Sequence, residues 1–215
     1  MMMSTHMAYG FVPAYLLTLF FAVVVAPSSY PVIMPVTAFL ALMGLLGGII
    51  PDVDSLESLG FVHKKTCHFI VGYLFAAIGL VVVAKLLPEW RVSTLALACV
   101  ALGGWLHSFM DIFDGFRDLD PNQGIYEHLF VRRWLPSLQK VAFAGTWEWI
   151  LQAFAALGFI AISANLSQLF VPGWQIATIT YGGIWGVSVI YDVLVRAKRR
   201  QAAEFRYIRG YRGVR

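Results

Sequence analysis

The stretch PVIMPVTAFLALMGLLGGIIPDVD, residues 31–54, decides how the whole chain is read. Its first part, 31–50, is apolar over the roughly 20 residues a helix needs to cross a bilayer. It then ends in two carboxylates one residue apart, Asp52 and Asp54. Acids beside hydrocarbon are costly unless water, a base or a metal compensates them. One stretch thus implies both a span and a reason for charge at its mouth.

Five more apolar runs of similar length follow the same pattern: 9–26, 67–87, 93–113, 147–170 and 174–195. The 215 residues are 59% hydrophobic and 13% charged, with a mean hydropathy of +0.72. Soluble domains average about 25% charged residues, so the composition is that of an integral membrane protein. No barrel-type alternation is present. The expected fold is therefore all-α: a polytopic bundle of about six transmembrane helices. It divides into a helical domain, 1–195, with its polar site at the inner face, and a basic tail, 196–215.

The net charge of +4 is unevenly placed, with eight of the sixteen Lys and Arg residues in the tail. A basic segment beside an apolar run reports topology and attraction to anionic lipid, which argues against nucleic acid as the partner. With the tail cytoplasmic and an even number of spans, both termini lie inside. Fourteen basic residues then face the cytoplasm and only Lys85 and Arg91 the far side. The positive-inside rule thus places a multi-pass protein in the plasma membrane with both ends cytoplasmic. The start MMMSTHMAYG has no basic n-region or evident cleavage site, so the first span is expected to be retained. Cys67 and Cys99 both fall in apolar stretches and form no disulfide framework.

On that topology His6, His63, His68, His107, Asp52, Asp54 and Asp111 all map to the inner leaflet. His107 and Asp111 are four apart and share a helical face. An extended Pro-Asp-Val-Asp would turn Asp52 and Asp54 to one side, because strand side chains alternate. Imidazole with carboxylate is the ligand set of zinc, manganese or iron(II). The expected cofactor is one or two divalent ions, zinc first, manganese or iron as alternatives. Seven groups exceed what one tetrahedral ion needs, so they suit two ions sharing a carboxylate, or include outer groups that orient the ligands. His128 reads as an interfacial hydrogen-bonding group, Asp114, Asp118 and Asp120 as solvated loop residues, and Asp192 as the partner of Arg196 one turn on. The stretch IYEHLFVRRWLPSLQK, 125–140, reads as a helix or helical turn along the inner interface.

Four motifs in order, Thr5-His6, Pro51-Asp52-Val53-Asp54, His63-Lys64-Lys65-Thr66-Cys67-His68-Phe69 and His107-Ser108-Phe109-Met110-Asp111, resemble those of the predicted membrane-bound metal-dependent hydrolases, domain of unknown function 457. Lys64 and Lys65 stand where that family carries Arg-Gly, and Cys67 and Phe69 where it carries Thr and Ser around the second histidine. The resemblance covers the first half of the chain. It implies a metal-ligand role for His6, Asp52, Asp54, His63, His68, His107 and Asp111. It also implies hydrolysis, with a lipid or phosphoester at the inner interface as substrate. Asp54 or Asp111 would accept a proton from water, and Lys64 and Lys65 would hold an anionic headgroup. Membrane lipids are the expected partners. The rival readings are a metal or proton transporter and a non-catalytic, metal-stabilised scaffold.

Overall fold

The structure, a computed structural model, describes residues 3–55, 66–115, 126–135, 138, 141–142, 146–168 and 174–196. The chain folds as a helical bundle. Its helices are α1 (Met3–Phe20), the single turn α2 (Tyr30–Ile33), α3 (Thr37–Gly47), α4 (Ile70–Leu86), α5 (Arg91–Met110), α6 (Thr146–Gln168) and α7 (Trp174–Tyr191). Among the described residues, paired strand is confined to a parallel two-residue contact between β1 (Asp114–Gly115) and β2 (Val141–Ala142) and one bridge, Tyr126 to Trp134. Every apolar run expected from the sequence contains a helix. Among the described residues, four continuous helical stretches are long and apolar enough to cross a membrane: Met3–Val25, Pro27–Val53, Pro88–Met110 and Thr146–Asn165. The apolar helix Ile70–Leu86 is shorter.

Prolines explain where the helices depart from ideality. The first helix begins at Met3, well before the apolar run, and carries Pro13 in its interior. It ends in a π-helical turn, Phe21–Val25. Residues 31–50 do not form one uninterrupted α-helix. Pro31 and Pro35 each lie at the start of a short helical piece, where a missing N–H costs least. The regular helix begins only at Thr37.

The bundle is turned inside out relative to a soluble protein. Large apolar side chains point outward along α4 (Phe75, Ile78, Val82, Leu86), α6 (Phe154, Leu157, Ile160) and α7 (Ile176, Ile179, Val187). Patches of that extent mark a surface covered by something apolar, here a bilayer. The fold is that of a membrane protein. Inside, α1 packs on α3 and α5, α4 on α5, and α6 on α1. Phe11, Tyr15, Leu45 and Tyr181 fill one core cluster. Phe21, Leu40, Leu95 and Cys99 fill the other.

Three helices meet almost backbone to backbone. A Cβ on Gly44 would collide with Ala14 Cβ and the Gly10 carbonyl, and one on Gly48 with the His6 carbonyl. Gly44 and Gly48 form the small-xxx-small spacing that lets membrane helices approach closely. A Cβ on Gly103 would in turn strike the Gly44 carbonyl. This three-way contact brings the start of α1, the end of α3 and the end of α5 to one place.

Candidate metal centre

The polar groups gather where those helix ends meet. His6 lies in the second turn of α1, Asp52 in the 3-10 turn Ile50–Ser55 after α3, His68 just before α4, and His107 and Asp111 at the end of α5. His6, His68, His107 and Asp111 are all fully buried. Asp111 turns its two oxygens different ways: Oδ1 lies 3.1 Å from His6 Nε2, while Oδ2 makes a 3.2 Å hydrogen bond with His68 Nε2 and lies 3.6 Å from His107 Nε2. His107 Nε2 is also 3.7 Å from Asp52 Oδ1. The imidazoles of His6 and His107 stack with centroids 3.7 Å apart, and the His68 ring stands edge-on at 5.1 Å.

Hydrogen bonding alone leaves this arrangement unsatisfied. His107 Nδ1 lies 2.7 Å from the Gly48 carbonyl oxygen, which only accepts, so that nitrogen carries the proton. In the neutral ring Nε2 is then a bare lone pair, and it faces two carboxylates. Lone pair against carboxylate is repulsive unless a cation lies between them. Both ring nitrogens of His6, His107 Nε2 and Asp111 Oδ1 find no hydrogen-bonding partner among the described residues. Each such buried atom costs about 1–3 kcal/mol. Donors about 2.0–2.1 Å from a tetrahedral ion lie about 3.4 Å apart, and individual nitrogen–oxygen pairs here are separated by 3.1–3.7 Å. Among the described residues, His6 with His107 and Asp111, and Asp52 with His68 and His107, are two groups whose donor atoms converge closely enough to hold an ion. The Gly48 carbonyl supplies the outer contact that typically orients a ligating histidine.

Five of the seven residues expected as ligands are thus brought together. His63, Lys64 and Lys65 lie outside the described residues, as does the side chain of Asp54. The backbone around Asp52 and Asp54 is not extended. It forms a 3-10 turn with about three residues per turn, so the period-two alternation of a strand does not apply there. The alternation argument for a shared side therefore fails, and Asp52 reaches the cluster through the turn instead.

Beside the centre lies a second polar group that the sequence reading missed. Ser4 donates to Asp192 Oδ2 from both its backbone N–H (2.9 Å) and its Oγ (3.1 Å). Thr5 Oγ1 donates to Glu148 Oε1 at 3.1 Å. Gln152 Nε2 donates to Ser4 Oγ and Thr5 Oγ1 at 2.7 and 2.8 Å, while Trp185 Nε1 donates to Gln152 Oε1 at 3.0 Å. Asp192 is buried and satisfies a first-turn N–H of α1; the side chain of Arg196, its expected partner, lies outside the described residues. Glu148 and Gln152 sit four apart on α6, a spacing that signals one shared face. These bonds also put the start of α1, the start of α6 and the end of α7 at the same end of the bundle.

The stretch 126–135 is not helical. The Glu127 carboxylate accepts the backbone N–H groups of Leu129, Phe130 and Val131 at 2.8, 2.9 and 2.6 Å. It folds a tight turn closed by the Tyr126–Trp134 bridge and by positive φ at Arg132. Local side-chain acceptors compete with helical bonds in this way. His128 packs its ring on Phe69 at 4.5 Å and on Tyr126 at 4.9 Å, apart from the two ligand groups.

No family model, curated protein or solved structure matches this chain.

Proposed function

We propose that the chain is a membrane-embedded, metal-dependent hydrolase acting on a lipid or phosphoester at the inner membrane interface. The observation that carries the proposal is the convergence of three imidazoles from three separate elements on one buried carboxylate, with His107 Nε2 left as a bare donor. His6, His68, His107, Asp111 and Asp52 would hold one divalent ion, or two sharing Asp111, with zinc favoured by the nitrogen-rich donor set. A divalent ion there supplies positive charge that polarises a phosphoester oxygen and eases loss of a proton from water. Asp54 or Asp111 would accept the water proton. Lys64 and Lys65, four and three residues before His68, would hold the anionic headgroup.

The orientation in this proposal follows from charge. The end of the bundle where α1 begins and α7 ends is the one followed by the basic tail, so positive-inside bias puts it in the cytoplasm. Six spans then cross the plasma membrane. A metal or proton carrier would instead need titratable groups through the bundle's middle. There Thr18 and Thr37 bond to the carbonyls of their own helices.

Elemental analysis of the purified protein tests the proposal. Wild type is expected to carry stoichiometric divalent metal and His107→Ala almost none, with wild-type turnover of phosphoester lipids abolished in the variant. Wild-type protein without bound metal refutes it.

A further inference from the structure

A cavity of about 260 Å³ opens beside the candidate centre, between the start of α4 and the 126–131 turn. It is lined by Phe69, Ile70, Gly72 and Tyr73 on one side and by His128 and Leu129 on the other. Phe69 follows His68 directly in the chain. Tyr73 packs against α5 at Gly104, one turn before His107, and donates its hydroxyl to the Cys67 carbonyl at 3.1 Å. The inner wall of the cavity is therefore also the support of two ligating histidines.

The cavity offers little for a polar ligand. Glu127 borders it, but its carboxylate is taken up by the three backbone N–H groups of its own turn. His128 lies with its ring against Phe69 and Tyr126. What remains is apolar and aromatic. The volume lies just below the roughly 300–1,000 Å³ of pockets that enclose whole small molecules, so it suits part of a chain rather than a complete ligand.

Its outer side is continuous with the bilayer-facing surface. Leu129, Phe130 and Val131 at the tip of the turn are 50%, 72% and 44% exposed. Phe130 meets Phe75, an outward residue of α4, with ring centroids 6.4 Å apart. Arg132 and Arg133, both exposed, follow at once. An apolar tip backed by arginines matches the boundary between acyl chains and anionic headgroups. Leu138 N–H donates to the Ile112 carbonyl at 2.8 Å, tying this loop to the residue after Asp111.

We infer that this cavity is a binding groove for one acyl chain of an anionic bilayer phospholipid, entered sideways from the membrane, with the phosphate near Arg132 and Arg133. The inference deepens the proposed function, and rests on it only for the statement that such a lipid lies in position to be the substrate. Bilayer hydrocarbon is as apolar as the groove, so preference for the groove comes from packing on its aromatic walls and from attraction of the phosphate to Arg132 and Arg133.

The test is photolabelling of the full chain in phosphatidylglycerol nanodiscs doped with phosphatidylglycerol bearing a diazirine on one acyl chain. Labelling is expected to concentrate on residues 69–73 and 128–129, above the outward face of α7 at Ile176 and Ile179. Leu129→Trp, which fills the groove from an exposed turn, should cut groove labelling roughly fivefold, equivalent to about 1 kcal/mol of chain binding, and leave the α7 labelling unchanged. Gly72→Leu, on the opposite wall, should give the same loss. Groove labelling no stronger than that of α7, or unaltered by both substitutions, overturns the inference. Elemental analysis of the same samples reads the metal centre separately. Metal retained without groove labelling refutes the groove alone, and groove labelling without metal supports the groove while refuting the centre.

Discussion

Residues 4, 5 and 6 of α1 belong to two different polar worlds. Ser4 and Thr5 enter a network with Glu148, Gln152, Trp185 and Asp192 in which donors meet acceptors at 2.7–3.1 Å. His6, the next residue, faces Asp111 and His107, where lone pairs and carboxylates approach without hydrogen-bond geometry. Both groups are buried at the same end of the bundle and both include carboxylates. The difference lies in satisfaction. A complete buried network fixes helices relative to one another, whereas an incomplete one that persists marks a place where something else is meant to bind. The first group reads as structural and the second as the working site.

Isosteric neutralisation in each group should separate them most sharply. Asp111→Asn keeps the shape but removes the carboxylate shared by three imidazoles. Altering even an outer contact lowers metal affinity about 10–100-fold, so this variant is expected to lose at least that much, read by competition with a fluorescent chelator. Glu148→Gln should retain full metal and lose about 1–3 kcal/mol of stability by leaving a bonded network short of an acceptor, read by denaturant unfolding in micelles. Equal metal loss in the two variants would erase the distinction.

A smaller effect tests the link between packing and site. Gly48→Val places side-chain atoms against the His6 carbonyl and pushes α1 from α3, at about 1–3 kcal/mol of overpacking strain. Because Gly48 also orients His107, metal affinity should fall together with stability. Affinity unchanged at lowered stability would show that the centre tolerates helix displacement.

The smallest effect concerns the 126–131 turn, outside the spans. Burial raises the Glu127 carboxyl, but the N–H groups of Val131, Leu129 and Phe130 outweigh it and hold the value below its ordinary 4.5. The unfolded turn therefore binds the proton more readily. The stabilisation is complete above about pH 4.5 and is lost as pH falls through the lower, folded value. Amide exchange at 129–131, corrected for intrinsic rates, should accelerate in acid, and Glu127→Gln should abolish that pH dependence.

The helices were legible because apolar runs of bilayer length have few other uses, and the residue types of the centre because His and Asp rarely border such runs without cause. His107 and Asp111 were readable as a pair, since four residues along a helix fix their common face. Asp52 was anticipated for the wrong reason: a 3-10 turn, not an extended segment, delivers it. Glu127 hid the turn at 126–131, because a carboxylate can cap its own following amides or face solvent, and composition does not distinguish the two. The bond from Ser4 to Asp192 was not legible, because the two residues are 188 apart in the chain.

The amino-acid order by itself determined the helical, membrane-type character of the chain and which side chains have the chemistry to bind a metal, because hydropathy and donor type are properties of single residues and short runs. Only the tertiary structure decided which of those donors meet, and that Ser4 and His6, two residues apart, serve different ends. The physical reason is the glycine contact among α1, α3 and α5: the absence of three side chains sets how closely the helices approach, and that closeness brings His6, His107 and Asp111 together.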